Sequence, residues 1–503
     1  MRTAAHDGRG TVRQGPDLPE QVLPVLPELT AAVATAAART GAEPPGGGPR
    51  LLQSAVGYFT RRGLAASPGT VATAPGAPLL LLAVTAALGG DVLLPRPCSA
   101  WWAPQARMLD RAVFPVATPA ECGGVPDPYA LLETVRRVRA EGGRPRVLVL
   151  SVADDPTATV PPPEVLHETV EAALGEGLHI VSDETLRDTL HQPSRTGSAP
   201  SAPAAAQRVP VHAGGSGRTR PAPGPYRAAG RRDDTGPRDG ARTPGGGADT
   251  GGAAGAGRRA PTGPGAPPGA DHPAGMGPEE ASVVVSPAEM VPEGVTVIAD
   301  LAGAFLPAGW PAAVARFADT GPGRALRARV LDVLTAVGGR IAAPVAAAAA
   351  LALDEPEEVR ARLATAARLH ARTAGAAHQA LRAAGVLARP PQAGRHLYAD
   401  LAPLRPALAA HGVRDAQELE DFLTARLGAP APGGHRFGDD LAALRVRLST
   451  GPLLGATPEQ RAEALTAPDP LALPHVAVAL AAFASAFGDL RDGGPGGPPA
   501  HRP

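Results

Sequence analysis

Between Leu51 and His191 two patterns alternate. Short apolar runs, Asp91–Pro95 (DVLLP), Ala112–Val116, Arg146–Ser151 (RVLVLS) and His179–Ser182 (HIVS), are separated by helical-period stretches at Leu79–Leu88, Trp101–Arg111, Pro128–Glu141 and Pro163–Glu176. A strand apolar along its whole length is covered on both faces, and a parallel pair needs a long crossover, usually a helix. The alternation therefore predicts an α/β fold with a mostly parallel sheet flanked by helices. It resumes with strands at Val283–Val285, Val295–Ala299 and Ala313–Phe317, then yields to long helices at Arg324–Val337 and Glu357–Ala384. The C-terminal part reads as a smaller α+β domain, with strands near Leu397–Leu401 and Leu444–Ser449 and helices at Ala416–Leu427, Pro458–Leu465 and Ala472–Phe487.

One stretch breaks the pattern. Residues 193–281 are Gly, Pro, Ala, Ser and Arg with a single aromatic, Tyr226, and offer too little apolar surface to offset the entropy of ordering. They read as a disordered insertion, at little cost because closure entropy grows only logarithmically with loop length. Its arginines, among them Arg231 and Arg232, are mixed with Asp233, Asp234 and Asp239, which favours a solvated linker over a nucleic-acid contact. The expected organisation is a disordered segment over 1–17, the first part of the small domain over 18–62, and the large domain over 63–192 and 282–355. The small domain completes over 356–488, with a tail over 489–503.

Few function classes survive the composition. The net formal charge is zero, which gives no argument for nucleic acid or an anionic membrane. Cys98 and Cys122 are the only cysteines, so there is no disulfide framework and no metal-ligand spacing. The longest apolar stretch, Ile341–Leu353, is interrupted by Pro344 and too short to span a bilayer. With no secretory leader pattern at the N-terminus, the expectation is a cytoplasmic protein. There is no lysine anywhere in the chain.

The order of landmarks resembles the class I/II (fold-type I) pyridoxal-phosphate-dependent aminotransferases over roughly 18–191 and 283–467. Gly46–Leu64 (GGGPRLLQSAVGYFTRRGL) is similar to that family's glycine turn and following helix. The turn Thr73–Ala77 (TAPGA) stands where the family cradles the cofactor phosphate, a role suited to a helix N-terminus. By the resemblance Gly76 and Ala77 hold phosphate. Asp155, in SVADDPTATV, replaces the turn asparagine beside the ring, and Asp183, in VSDET, pairs with the pyridine nitrogen. Arg447, in LRVRLST after PGGHRFGDD, would grip a substrate carboxylate bidentately. The implied cofactor is pyridoxal phosphate and the implied substrate a small amino or 2-oxo acid, with a homodimer or a heterodimer with a paralogue as the assembly.

Several positions depart from the family. The lysine position in ADLAGAFLPAGWPAAVARF falls near Gly303, so covalent attachment of the cofactor is not possible and no catalytic residue is assigned. Arginine cannot replace that lysine as Schiff-base former or proton shuttle, because it stays protonated. Ser99 occupies the ring-stacking position, Ala158 the turn glycine, Leu186 an expected tyrosine and Pro311 an expected phosphate arginine, while Pro78 removes an N–H from the phosphate turn. The expectation is a transaminase fold with impaired chemistry, or else a non-catalytic partner of an active paralogue. Were it active on a non-covalently held cofactor, His179 or His191 would be the candidate base.

Overall fold

The computed structural model describes residues 23–191 and 284–491. The segment at 1–17, the insertion at 193–281 and the last twelve residues of the expected tail lie outside them. Among the described residues there are ten strands: β1 Val71–Ala74, β2 Asp91–Arg96, β3 Val113–Ala117, β4 Pro145–Ser151, β5 His179–Asp183, β6 Val295–Asp300, β7 Ala313–Arg316, β8 Leu387–Ala388, β9 His396–Asp400 and β10 Arg445–Ser449. The first seven form one sheet in the order β1-β7-β6-β5-β4-β2-β3. The pairs from β3 through β2, β4 and β5 to β6 are parallel, and β7 runs antiparallel to both β6 and β1. This is the mostly parallel sheet that the alternation predicts.

The helices of the first half are α1 Pro27–Ala36, α2 Pro49–Arg61, α3 Ala77–Leu88, α4 Trp102–Met108, α5 Pro128–Ala140 and α6 Pro163–Gly175. Those of the second half are α7 Pro287–Met290, α8 Gly321–Ala336, α9 Ala343–Asp354, α10 Glu357–Ala383, α11 Arg405–Ala410, α12 Ala416–Leu427, α13 Pro458–Thr466 and α14 Pro474–Arg491. Their starts follow local chemistry. Asp127 accepts the Ala130 N–H at the head of α5, Asp415 caps α12, and Thr457 with Gln460 closes a capping box on α13. Val284 and Val285 are loop, not the strand expected there. They lead into Ser286, whose capping box with Glu289 starts α7. Strand β1 was not distinguished from the turn that follows it, because four residues ending in Ala-Pro-Gly are too short to show a period.

Side chains alternate along each strand and sort into two cores. Leu93, Leu148, Leu150, Ile180, Val295 and Val297 pack with α1, α2, α5, α6 and α9, around the buried Tyr58 and Phe59. Val92, Leu94, Val147, Val149, Val181 and Ile298 point the other way onto α3, α4 and α8, around Trp102 and Phe317. Each such aliphatic side chain contributes about 1.5–3 kcal/mol on burial. The C-terminal sheet, β10-β9-β8, is antiparallel and packs Leu397, Ala399, Val446 and Leu448 against α10, α12 and α14. At the end of α2, Arg62 lies 3.6 Å over the Tyr58 ring and pairs with Asp188 at 2.5 Å and Glu355 at 2.6 Å. That buried pairing ties α2 to the segment after β5 and to the end of α9.

Candidate functional site

The parallel strands end on one side of the sheet, and in open α/β folds this carboxyl edge carries the ligand. Here a cavity of about 870 Å³ opens on it. Ser151 closes β4, Asp183 closes β5 and Asp300 closes β6, while Pro75 and Gly76 form the turn between β1 and α3, whose first residues Ala77 and Pro78 also line the cavity. The small domain closes the other side with Arg395 and His396 at the start of β9, Arg436, and Arg447 in β10. Of the residues singled out in the sequence, Gly76, Ala77, Asp155, Asp183, Gly303 and Arg447 all line this one cavity, as do Ser99 and Pro311.

The phosphate corner is built unlike a phosphate site. Gly76 has φ +96°, a conformation that suits glycine, and its N–H is donated back to the Ala74 carbonyl. Ala77 donates its N–H to Oδ2 of Asp300 at 2.7 Å, and Oδ1 of Asp300 accepts from Ala302 at 2.8 Å. Pro78 has no N–H to give. The amino end of α3 therefore already holds a carboxylate, the kind of group a helix dipole favours there. Burial raises the Asp300 pKa, opposed by the two backbone hydrogen bonds.

Asp183 is 5% exposed, and its Oδ1 accepts from the Thr185 N–H at 3.0 Å. Burial pushes its carboxyl up to about 6, assisted by the nearby charges of Asp300 and Asp155. Thr185 also ties the two strand ends together, since its hydroxyl accepts the Asp300 N–H at 3.0 Å. Asp155 is engaged twice, by Arg447 Nη1 at 2.7 Å and by the Ser99 hydroxyl at 3.1 Å. Arg447 is 7% exposed and lies 4.8 Å from the Phe437 ring centre. Two residues away, Arg445 pairs with Asp400 and Asp439 and does not line the cavity. Arg436 makes two 2.6 Å bonds to the carboxylate of Glu420. Behind the Asp155 turn, Asp154 is fully buried and pushed up to about 7, mainly by desolvation. Ala158 keeps the left-handed backbone, φ +57°, at the place where the family has glycine.

Neither histidine proposed as a base reaches the cavity lining. His179 opens β5, the end opposite Asp183, and sits 2.9 Å from the Thr296 hydroxyl, with burial lowering its pKa to about 4. His191 lies between the carbonyls of Pro391 and Gly394. The cavity instead contains His370 and His396, which no motif marked. Burial, with Arg395 adding to it, lowers His370 to about 3, and His396 is held well below its ordinary value by burial and then by Arg447. Both are neutral near pH 7. Asp300 was likewise missed, because an Asp at a strand end reveals its partner only when α3 is brought against β6.

The scaffold and the cleft at its carboxyl edge define a fold-type I protein. Residues 16–216 match the family model for aminotransferase class I and II. The aspartate/prephenate aminotransferase of Thermus thermophilus is 32% identical over 191 residues, covering 36% of this chain and 48% of that protein. A probable aspartate/prephenate aminotransferase of Thermus aquaticus is 32% identical over 163 residues, covering 32% of this chain and 41% of that one. In sequence, the chain thus spans about half the length of the curated relatives it matches. In fold the likeness is longer. A mutant aspartate aminotransferase of Thermus thermophilus superposes with a TM-score of 0.62 at 19% identity, over 93% of this chain and 91% of that one. The aspartate aminotransferase of Rhizobium meliloti does so with a TM-score of 0.60 at 14% identity, over 94% and 90%. The sequence match to the class I and II aminotransferases thus lies in the first half of the chain, while the fold is shared with aspartate aminotransferases over the described residues as a whole.

Relatives in this family imply pyridoxal phosphate, and the residues present do not fit it. A dianionic phosphate at Ala77 would meet the Asp300 carboxylate on the same N–H, with no lysine or Pro311-position arginine to offset the repulsion. The side chain at the ring-stacking position is a hydroxymethyl already donated to Asp155. Gly303 has open space around its α-carbon and φ +94°, with nothing to form a Schiff base. Among the described residues no helix is long and apolar enough to cross a membrane.

Proposed function

We propose that this chain is a non-transaminating member of the class I/II aminotransferase family, which keeps the fold and cleft and uses the cleft to bind a small molecule without covalent cofactor chemistry. The observation that carries this reading is the Asp300 carboxylate bonded to the Ala77 N–H, in the corner that would receive the cofactor phosphate. The loss of lysine acts in the same direction, since it removes both the Schiff base and the shuttle between Cα and C4′. Two neutral, buried histidines do not replace it, because their depressed pKa values make them weak bases. Arg447, bonded to Asp155, acts in this reading as a structural clamp between the domains' facing walls rather than as a waiting anion site. Pairing with a second copy, or with a paralogue carrying its own lysine, belongs to the same reading, and sedimentation tests it. The activity test supplies pyridoxamine phosphate and a panel of 2-oxo acids to the purified protein. No amino acid product is expected above the cofactor-only rate, and catalytic turnover would sink the proposal.

A further inference from the structure

We propose that the small pocket beside Gly303, walled by α10 and the segment Leu23–Leu26, binds a short alkanoate, an acid with an apolar chain and no amino group. The inference rests on the non-transaminating reading and deepens it, by naming a ligand that is neither the cofactor nor an amino acid. The pocket has a volume of about 70 Å³ and shares Gly303, Ala304, Ala308, His370 and Arg395 with the main cleft. From α10 it takes Val359, Arg362, Leu363, Ala366 and His370, whose spacing of three and four residues puts them on one helix face. Two groups interrupt that apolar face. Arg362 donates from Nη2 to the Pro24 carbonyl at 2.7 Å, while its Nη1 is buried with no hydrogen-bond partner among the described residues. His370 is 8% exposed, and its Nδ1 is likewise buried and unpartnered. In the main cleft, by contrast, Arg436 is paired with Glu420 and Arg447 with Asp155.

A buried donor left unbonded is costly, and a ligand oxygen that accepts from it offsets the cost. The charge around the pocket fixes the sign of that ligand. Burial lowers Arg362 to about 10. Burial and then the Arg395 guanidinium lower His370 to about 3, with His191 and Arg362 acting in the same direction. No Asp or Glu is among the described residues that line the pocket. A carboxylate matches these groups, one oxygen accepting from Nη1 of Arg362 and the other from the Nδ1–H tautomer of neutral His370. An α-ammonium would meet the same positive surroundings with no carboxylate to take it, which disfavours amino acids. Leu26, Phe305, Leu306 and Val359 supply the apolar wall that an alkyl chain needs. At about 10–15 Å³ of such volume per water, 70 Å³ has room for roughly five to seven non-hydrogen atoms, the span from propanoate to pentanoate.

The test is calorimetry on the full chain with butanoate, with 2-aminobutanoate as the amino acid of equal chain length, and with butylamine as a cation of similar size. Saturable binding of butanoate is expected, with 2-aminobutanoate at least tenfold weaker and no binding of butylamine. Two variants probe the pocket independently. Arg362→Met removes the charge and keeps the stem, and Ala366→Leu fills the chamber without touching either donor. Each should weaken butanoate at least tenfold while circular dichroism shows a folded chain. Failure of butanoate to bind the wild type at millimolar concentration overturns the inference. So does 2-aminobutanoate or butylamine binding as tightly as butanoate, or butanoate binding unchanged in whichever of the two variants folds. A parallel assay with pyridoxal phosphate and an amino acid donor separates the two layers. If butanoate fails and no amino transfer is seen, only the alkanoate site falls; if amino transfer is seen, the non-transaminating reading falls, whatever butanoate does.

Discussion

Replacing Asp300 by serine removes one charge from the head of α3 and frees one N–H. The consequence for anion binding can be worked from the distances. A phosphate seated on the Ala77 N–H, now 2.7 Å from Oδ2, would have its nearest oxygen about 4 Å from the carboxylate it displaces. At an effective permittivity of about 20, two unit charges at that spacing repel by about 4 kcal/mol. Burial raises the Asp300 pKa, so the carboxylate can take up a proton instead, and this caps the penalty. A net gain of about 2–4 kcal/mol corresponds to roughly 30- to 700-fold tighter binding of a phosphate. The expected cost is about 1 kcal/mol of stability, from the lost interaction at the helix amino end. Calorimetry with inorganic phosphate and with pyridoxal phosphate, wild type against Asp300→Ser, measures the difference. A variant that is folded by urea titration yet binds phosphate no better than the wild type refutes the reasoning.

Other consequences are equally direct. Gly303→Lys places an amine where an added Cβ meets nothing within 4 Å, at a backbone cost of about 1–2 kcal/mol for φ +94°. Alone it should give no borohydride-reducible pyridoxyl adduct by mass spectrometry, whereas Gly303→Lys combined with Asp300→Ser should give one. Asp154 binds its proton more tightly folded, with a pKa of about 7, than unfolded, so its contribution makes the wild type lose stability as pH rises from about 4 to 7. Asp154→Asn should therefore be more stable than wild type at pH 8, by on the order of a few kcal/mol, with the advantage vanishing below about pH 4 in urea titrations. Arg62→Met leaves Asp188 and Glu355 facing each other without their shared cation and should cost about 3–5 kcal/mol, read by the same titrations.

The parts of this molecule that were legible in the sequence are those written in local pattern. RVLVLS and HIVS read as β4 and β5 because a strand buried on both faces must be apolar throughout, and each is followed by turn residues. Asp155, Asp183 and Arg447 could be placed together because each sits at a fixed offset from such a strand, and the fold brings those ends to one edge. What escaped depended on long-range packing. The Asp300–Ala77 bond joins residues 223 apart, and nothing near either of them marks it. His396 opens a strand of five residues and enters the cleft only because β10 fixes the register of β9, while His179 looked better placed on a strand already tied to the site. Being on the same strand as Asp183 was the wrong criterion, since four steps of about 3.3 Å carry His179 to the other edge of the sheet. Val284 and Val285 failed as a strand for a local reason, the capping box beginning at Ser286.

The most direct test of the account is equilibrium dialysis of the wild-type chain against pyridoxal phosphate, followed by borohydride reduction. With Asp300 on the Ala77 N–H and no lysine in the chain, no saturable binding is expected up to millimolar cofactor and no pyridoxyl group is fixed in the cleft. One equivalent bound at low micromolar concentration, with amino transfer on adding an amino acid, would contradict it.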